Sequence, residues 1–178
     1  MTDSLEDRVR RLEDRFAIND LVVHYATLLD DCQWDALGNL FTEDGVFSSP
    51  NSRTVGRAAI VENFKVKHEP YGATWHDPHG IAVDFIDDEH ARGTVIGYAE
   101  LGKPGCTITT SIRYHDDYRR GDGRWRFAAR NVLCLYGMPM PDLVAGGLGE
   151  TARKRWPGRD VAPAELPDTT RRFPGYPG

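Results

Sequence analysis

The 178-residue chain has only three cysteines, no excess of basic residues and no long apolar run, and each shortage removes a class of function. Cys32, Cys106 and Cys134 are odd in number and lack ligand spacing, so they read as reduced thiols rather than as a disulfide framework or a zinc site. A net charge of -5 leaves no basic face for nucleic acid or for an anionic membrane. No segment approaches the roughly 18 apolar residues of a spanning helix. Residues 1–7 are acidic and carry no apolar signal-peptide core, so a cytoplasmic location is expected. The G-x-G-x-x-G, P-loop, H-E-x-x-H, C-x-x-C and G-x-S-x-G patterns are all missing. What remains is acid–base chemistry by side chains, with no cofactor and no metal.

The residues present alternate between two periods. Residues 4–15 read as a short charged surface helix, followed by an amphipathic helix from Ala17 to Cys32. At about 100° per residue, Ile18, Leu21, Val22, Tyr25, Leu28 and Leu29 form its apolar face. Asp20, His24, Thr27 and Asp31 form a polar stripe opposite. Asp30 leaves that stripe and aligns with Val23 and Ala26 on the flank of the apolar face. Short helices are expected over Trp34–Phe41 and Gly56–Lys67, with a turn at Thr42–Gly45 and a short strand through Val46 and Phe47. From Trp75 the period becomes two. Strands follow from there to Phe85, then over Ala91–Leu101, Thr107–Tyr118 and Arg124–Leu135, separated by hairpin turns. Helices first and an antiparallel meander afterwards predict an α+β domain over 1–140. Residues 141–178 are rich in Pro and Gly and read as a tail, disordered or draped on a neighbouring subunit.

Four side chains carry the candidate chemistry. Asp30, on the edge of a buried face, is either a desolvated base or a helix terminator. His76 opens the first long strand; alternation sets it opposite Ile81, Val83 and Phe85, above the small residues Pro78, Gly80 and Ala82. It is either a base or a hydrogen-bonded strand histidine. Arg130 shares its expected face with Ala128, Val132 and Cys134, and either pairs a buried carboxylate or waits for a substrate oxyanion. Tyr25 is a core residue or a hydrogen-bond donor into the same cavity. His79 falls on the face opposite His76 unless a bulge intervenes, and His24, His68, His90 and His115 read as solvated.

The runs Ala17-Ile18-Asn19-Asp20-Leu21, Trp34-Asp35-Ala36-Leu37 and Phe41-Thr42-Glu43-Asp44-Gly45 resemble the opening of SnoaL-like domains of the nuclear transport factor-like superfamily. Thr74-Trp75-His76 and Asp122-Gly123-Arg124-Trp125-Arg126, leading to Ala129-Arg130-Asn131, resemble later landmarks of that family, over residues 8–140 in all. The resemblance implies a curved antiparallel sheet wrapped by helices into a cone with an internal pocket. It is nearest to the bile acid 7α-dehydratase, scytalone dehydratase and hexachlorocyclohexane dehydrochlorinase group, and departs from scytalone dehydratase in having Leu29 before Asp30. It implies an Asp30–His76 general base, with Arg130 and Tyr25 stabilising developing charge. A small apolar cyclic or aromatic substrate would lie against Phe41, Phe47, Trp75 and Tyr98. The implied reaction is a cofactor-independent elimination, a lyase. Alternatives are an isomerase or cyclase on the same pair, a non-catalytic small subunit of a ring-hydroxylating dioxygenase, or a ligand-binding module. A homo-oligomer is expected, a trimer before a dimer, hiding an outer face that includes Trp125 and Phe127.

Overall fold

The computed structural model describes residues 4–166. Its first element is one unbroken helix, α1 (Leu5–Asp30), where two were expected. No Gly or Pro interrupts residues 5–30, and Ser4 starts the helix by accepting from the Asp7 amide at 3.1 Å. Helix α2 (Trp34–Gly38) stops short of Phe41, which begins strand β1 (Phe41–Ser49). The expected turn at 42–45 is thus absorbed into β1 as an irregularity between Phe41 and Val46. Gly45 sits tightly there, since a Cβ would meet the Thr42 carbonyl oxygen at 2.9 Å. Strand β2 (Ser52–Val55), not anticipated, closes a hairpin, and α3 (Arg57–His68) follows.

Strands β3 (Ala73–Phe85), β4 (His90–Lys103), β5 (Cys106–Gly121) and β6 (Arg124–Pro139) complete one six-stranded sheet in the order β2-β1-β6-β5-β4-β3. Every pair is antiparallel except β1 with β6. The sheet is curved and unclosed, and α1 and α3 cover its concave face, the cone arrangement expected from the sequence. Ile18, Leu21, Tyr25, Phe41, Phe64, Val95, Tyr118 and Phe127 fill the space between as one core. Among the described residues no helix is long and apolar enough to cross a membrane.

Two bulges decide which side chains face inward. In β3 the register slips between Pro78 and Gly80, leaving His79 as the extra residue. Alternation resumes one place out of phase, so Thr74, His76 and Pro78 share the concave face with Ile81, Val83 and Phe85. The expectation that His76 lies opposite those three is therefore corrected, while His79 and Trp75 point outward and are exposed. In β6 the partner changes from Asp117↔Ala129 to Tyr118↔Phe127, leaving Ala128 extra. Phe127 and Trp125, expected on an outer face, consequently join Arg130 on the concave side and are buried. The premise for an apolar outer face covered by a trimer falls with that correction.

After β6, helix α4 (Met140–Val144) packs on β5 and β6, and the chain then returns along β6. The Gly137 amide donates to the Arg153 carbonyl at 2.9 Å and the Arg155 amide to the Gly137 carbonyl at 2.7 Å. Trp156 lies over Gly137, where a Cβ would come within 2.3 Å of its ring, and helps cover Ala99, Leu101 and Ile108. As far as Leu166 this tail packs on its own subunit; the rest of the expected tail lies outside the described residues.

Candidate active site

Asp30 is the last residue of α1, and the helix end holds its carboxylate over the start of β3. One oxygen accepts from the His76 ring Nδ1 at 2.6 Å and from the Thr74 hydroxyl at 2.7 Å; the other accepts from the His76 amide at 2.7 Å. Burial works to raise the Asp30 carboxyl, but the donors from His76 and Thr74 outweigh it and hold the group below the ordinary carboxylate range. Asp30 is thus ionised at neutral pH and, as an acceptor, directs a ring proton to His76 Nδ1. In the singly protonated ring that tautomer leaves Nε2 as the acceptor nitrogen.

Arg130 lies deeper. Its Nε and Nη2 donate to the two oxygens of Asp116 at 3.0 and 2.9 Å, and the Tyr118 hydroxyl donates to Asp116 at 2.8 Å. The rings of Tyr114, Tyr25 and Phe127 surround the guanidinium carbon at 4.0, 4.2 and 4.2 Å. Burial opposes the charge on Arg130, but the Asp116 carboxylate more than compensates and pushes its pKa up. Both sequence alternatives thus meet in one residue: Arg130 pairs a buried carboxylate, yet its buried Nη1 has no hydrogen-bond partner among the described residues. Burial, the first influence, drives the Tyr25 hydroxyl up as well, so Tyr25 is a neutral donor.

One narrow cavity joins the two pairs. Val22 and Tyr25 of α1 and His76, Ile112, Tyr114 and Arg130 of the sheet line it, around a free space of about 10 Å³, the scale of a single water. A ring-shaped ligand requires these walls to part. The four expected apolar contacts fare unevenly. Phe41 and Phe47 are buried in the core behind the cavity, because β1 carries them under α3. Trp75, one residue before His76, is 63% exposed on the outer face. Tyr98 borders the cavity through its place beside Gly97, but its hydroxyl accepts from Thr109 at 2.5 Å and lies near Glu100, both partners of the outer face.

A family model for the SnoaL-like domain matches residues 10–131, from the first turns of α1 through Arg130. The chain belongs to the SnoaL-like family. Solved structures agree in fold. A type 2 hexachlorocyclohexane dehydrochlorinase (LinA) superposes with a TM-score of 0.70 at 22% identity, covering 75% of this chain and 93% of that one. A scytalone dehydratase-like protein from Novosphingobium aromaticivorans gives 0.71 at 21%, covering 88% and 96%. A ring-hydroxylase-like protein from the same organism gives 0.67 at 28%, covering 74% and 96%. No curated protein matches the chain.

Two residues of this SnoaL-like domain were missed from sequence. Asp116, which the strand pattern over Thr107–Tyr118 did not single out, is the fully buried partner of Arg130. His68, read as solvated, ends α3 half-buried beside Trp34, Tyr71 and His76, its ring centroid 6.2 Å from that of His76. Its Nδ1 meets the Phe64 carbonyl at 3.0 Å, and its buried Nε2 has no partner among the described residues. Burial pushes this imidazole's pKa down. The helical phase of Phe64 and His68, four residues apart on one face, was the available signal.

Proposed function

We propose that the protein is a cofactor-independent lyase, eliminating a leaving group from a small hydrophobic cyclic or aromatic molecule. The observation that carries this reading is the 2.6 Å contact between Asp30 and His76, beside a cavity whose far wall is Arg130. His76 Nε2 takes a proton from an acidic C–H, and Asp30 stabilises the imidazolium that forms. The C–H electron pair becomes the new double bond as the bond to the leaving group breaks. Arg130 Nη1 and the Tyr25 hydroxyl donate to the charge that develops on the departing group or on a neighbouring carbonyl. Because Asp116 already neutralises Arg130, the guanidinium acts as an oriented donor rather than as a net counter-charge. Return of the proton to another carbon would make the same pair an isomerase.

The test is turnover on a panel of apolar cyclic compounds with a β-leaving group. His76→Ala and Asp30→Asn are each expected to lower kcat/KM by about 10²–10⁴. The double variant should lose little more than either alone, because residues acting as a unit fail together. Full activity in Asp30→Asn would refute the reading. So would co-purification with an iron–sulfur oxygenase partner and no turnover of any panel member. That outcome points to the non-catalytic subunit instead.

A further inference from the structure

Helix α1 carries a second apolar face that its own subunit does not cover. Leu5, Val9, Leu12, Phe16 and Val23 are 74, 45, 56, 69 and 43% exposed. Their spacing of four, three, four and seven is that of a heptad seam. At about 100° per residue these five fall within some 60° of one another, diametrically opposite Asp14, Ile18, Leu21 and Tyr25, which are buried on the sheet. A monomer gains nothing from five large apolar side chains on the solvent side of a helix whose opposite side packs on the sheet from Asp14 onward.

The charges beside the seam select its occupant. Arg8 and Arg15 flank one edge; Glu6, Glu13 and Asp20 flank the other. In a parallel pair of identical helices, each residue on the first edge faces the residue five places later on the other copy, so Arg8 meets Glu13. In an antiparallel pair the same edges meet themselves, setting Arg8 against Arg15 and acid against acid. Arg15 is partly committed to its own sheet, donating to the Val83 carbonyl at 3.0 Å, whereas Arg8 and Glu13 have no ion pair among the described residues. Valine at two of the three positions of one seam row, with Leu5, Leu12 and the polar Asn19 in the other, favours two strands over three. From Asp14 onward the sheet lies on the side of the helix opposite the stripe.

We infer that this stripe is the contact surface for a second copy of the chain, docked as a parallel helix pair along α1. From Asp14 onward the helix is held by its packing on the sheet, while residues 5–13 project beyond it, started by the Ser4–Asp7 capping box. Exposed ion pairs are individually weak; they set the orientation rather than supply the affinity.

Sedimentation of the full chain at about 100 µM, in the range where modest interfaces associate, should give twice the 20.0 kDa of one subunit. Leu12→Glu with Phe16→Glu should give a monomer with unchanged circular dichroism, since neither side chain is in the core. Arg8→Glu alone, or Glu13→Arg alone, should raise the dissociation constant about tenfold. The two together should restore it, because the swapped charges again meet across a parallel pair but not across an antiparallel one. A monomeric wild type, a trimer, an assembly indifferent to Leu12→Glu with Phe16→Glu, or a charge swap that fails to restore association would each overturn the inference.

Discussion

Two carboxylates, each hydrogen-bonded to a nitrogen-bearing side chain, flank one cavity, and the two pairs differ chiefly in depth. Asp30 and His76 keep 12 and 14% of their side-chain surface exposed; Asp116 and Arg130 keep 0 and 1%. The shallow pair joins an acid to the one side chain whose ordinary pKa lies near neutrality, so a proton can enter or leave it. In the deep pair a guanidinium that does not deprotonate is held by two hydrogen bonds to Asp116 and by three aromatic rings, and the Tyr118 hydroxyl donates to the carboxylate. Similar chemistry at two depths therefore yields a pair suited to moving protons and a pair suited to holding a fixed field. The comparison also explains the order of construction. The deep pair sits where β5 meets β6, at the register Asp116↔Arg130, whereas the shallow pair bridges a helix end and an edge strand.

If depth is the difference, breaking the deep pair should damage the fold most. Asp116→Ala strands an unpaired buried guanidinium and should cost about 3–5 kcal/mol. For a chain of this size that lowers the melting temperature by roughly 10 °C. Replacing both partners with apolar residues, Asp116→Leu with Arg130→Met, removes the stranded charge and should recover most of that loss without restoring activity. Calorimetry of the three variants checks this. A cost below about 1 kcal/mol for Asp116→Ala would mean that water reaches the pair and that its depth has been misread.

The shallow pair should instead declare itself in acid. The Asp30 carboxyl is lower in the folded state than in the unfolded chain, so its ionised form favours folding. That contribution is complete above the unfolded value of about 4 and is lost as the pH falls below it, through the folded value. Urea unfolding of the wild type should therefore show a stability decline beginning near pH 4. In Asp30→Asn that decline should be shallower, while the curves near pH 7 run parallel. Identical acid limbs would remove Asp30 from the set of carboxylates that the fold holds ionised.

Much of this architecture could be read from periodicity. The 3.6-residue pattern after Ala17 placed Asp30 on the flank of a buried face, and the period of two after Trp75 marked the four long strands. What periodicity cannot carry is a change of phase. One extra residue at His79 and another at Ala128 reverse the phase between the residues before and after them, so His76 shares the face of Ile81 and Phe127 that of Arg130. Pro78 and Gly80, both unfavourable in a strand interior, were the only local sign of the first bulge. Ala128 and Ala129 gave no sign of the second. Asp116 was hidden by company, since His115 and Asp117 beside it are exposed. The exposed stripe on α1 was obscured by the charges interleaved with it.

The smallest expected effect is the sharpest test of the helix-phase argument. Asp30 and Asp31 are adjacent, identical in chemistry and nearly equidistant from β3 along the chain, yet one residue of helix rotates a side chain by about 100°. Asp30 reaches Thr74 and His76; Asp31 caps the helix with its backbone amide, bonding to the Thr27 carbonyl at 2.9 Å, and its side chain is exposed. The cap bond belongs to the main chain, so Asp31→Asn leaves it intact. The substitution should change stability by less than about 0.5 kcal/mol and turnover by less than about twofold. Against the large loss expected for Asp30→Asn, the same chemical change one position earlier, the contrast isolates orientation from charge. The two aspartates lie so close that any long-range effect on the cavity would act on both. Equal losses from the two variants would therefore mean that the net negative charge at the end of α1, rather than the contact with His76, supports activity.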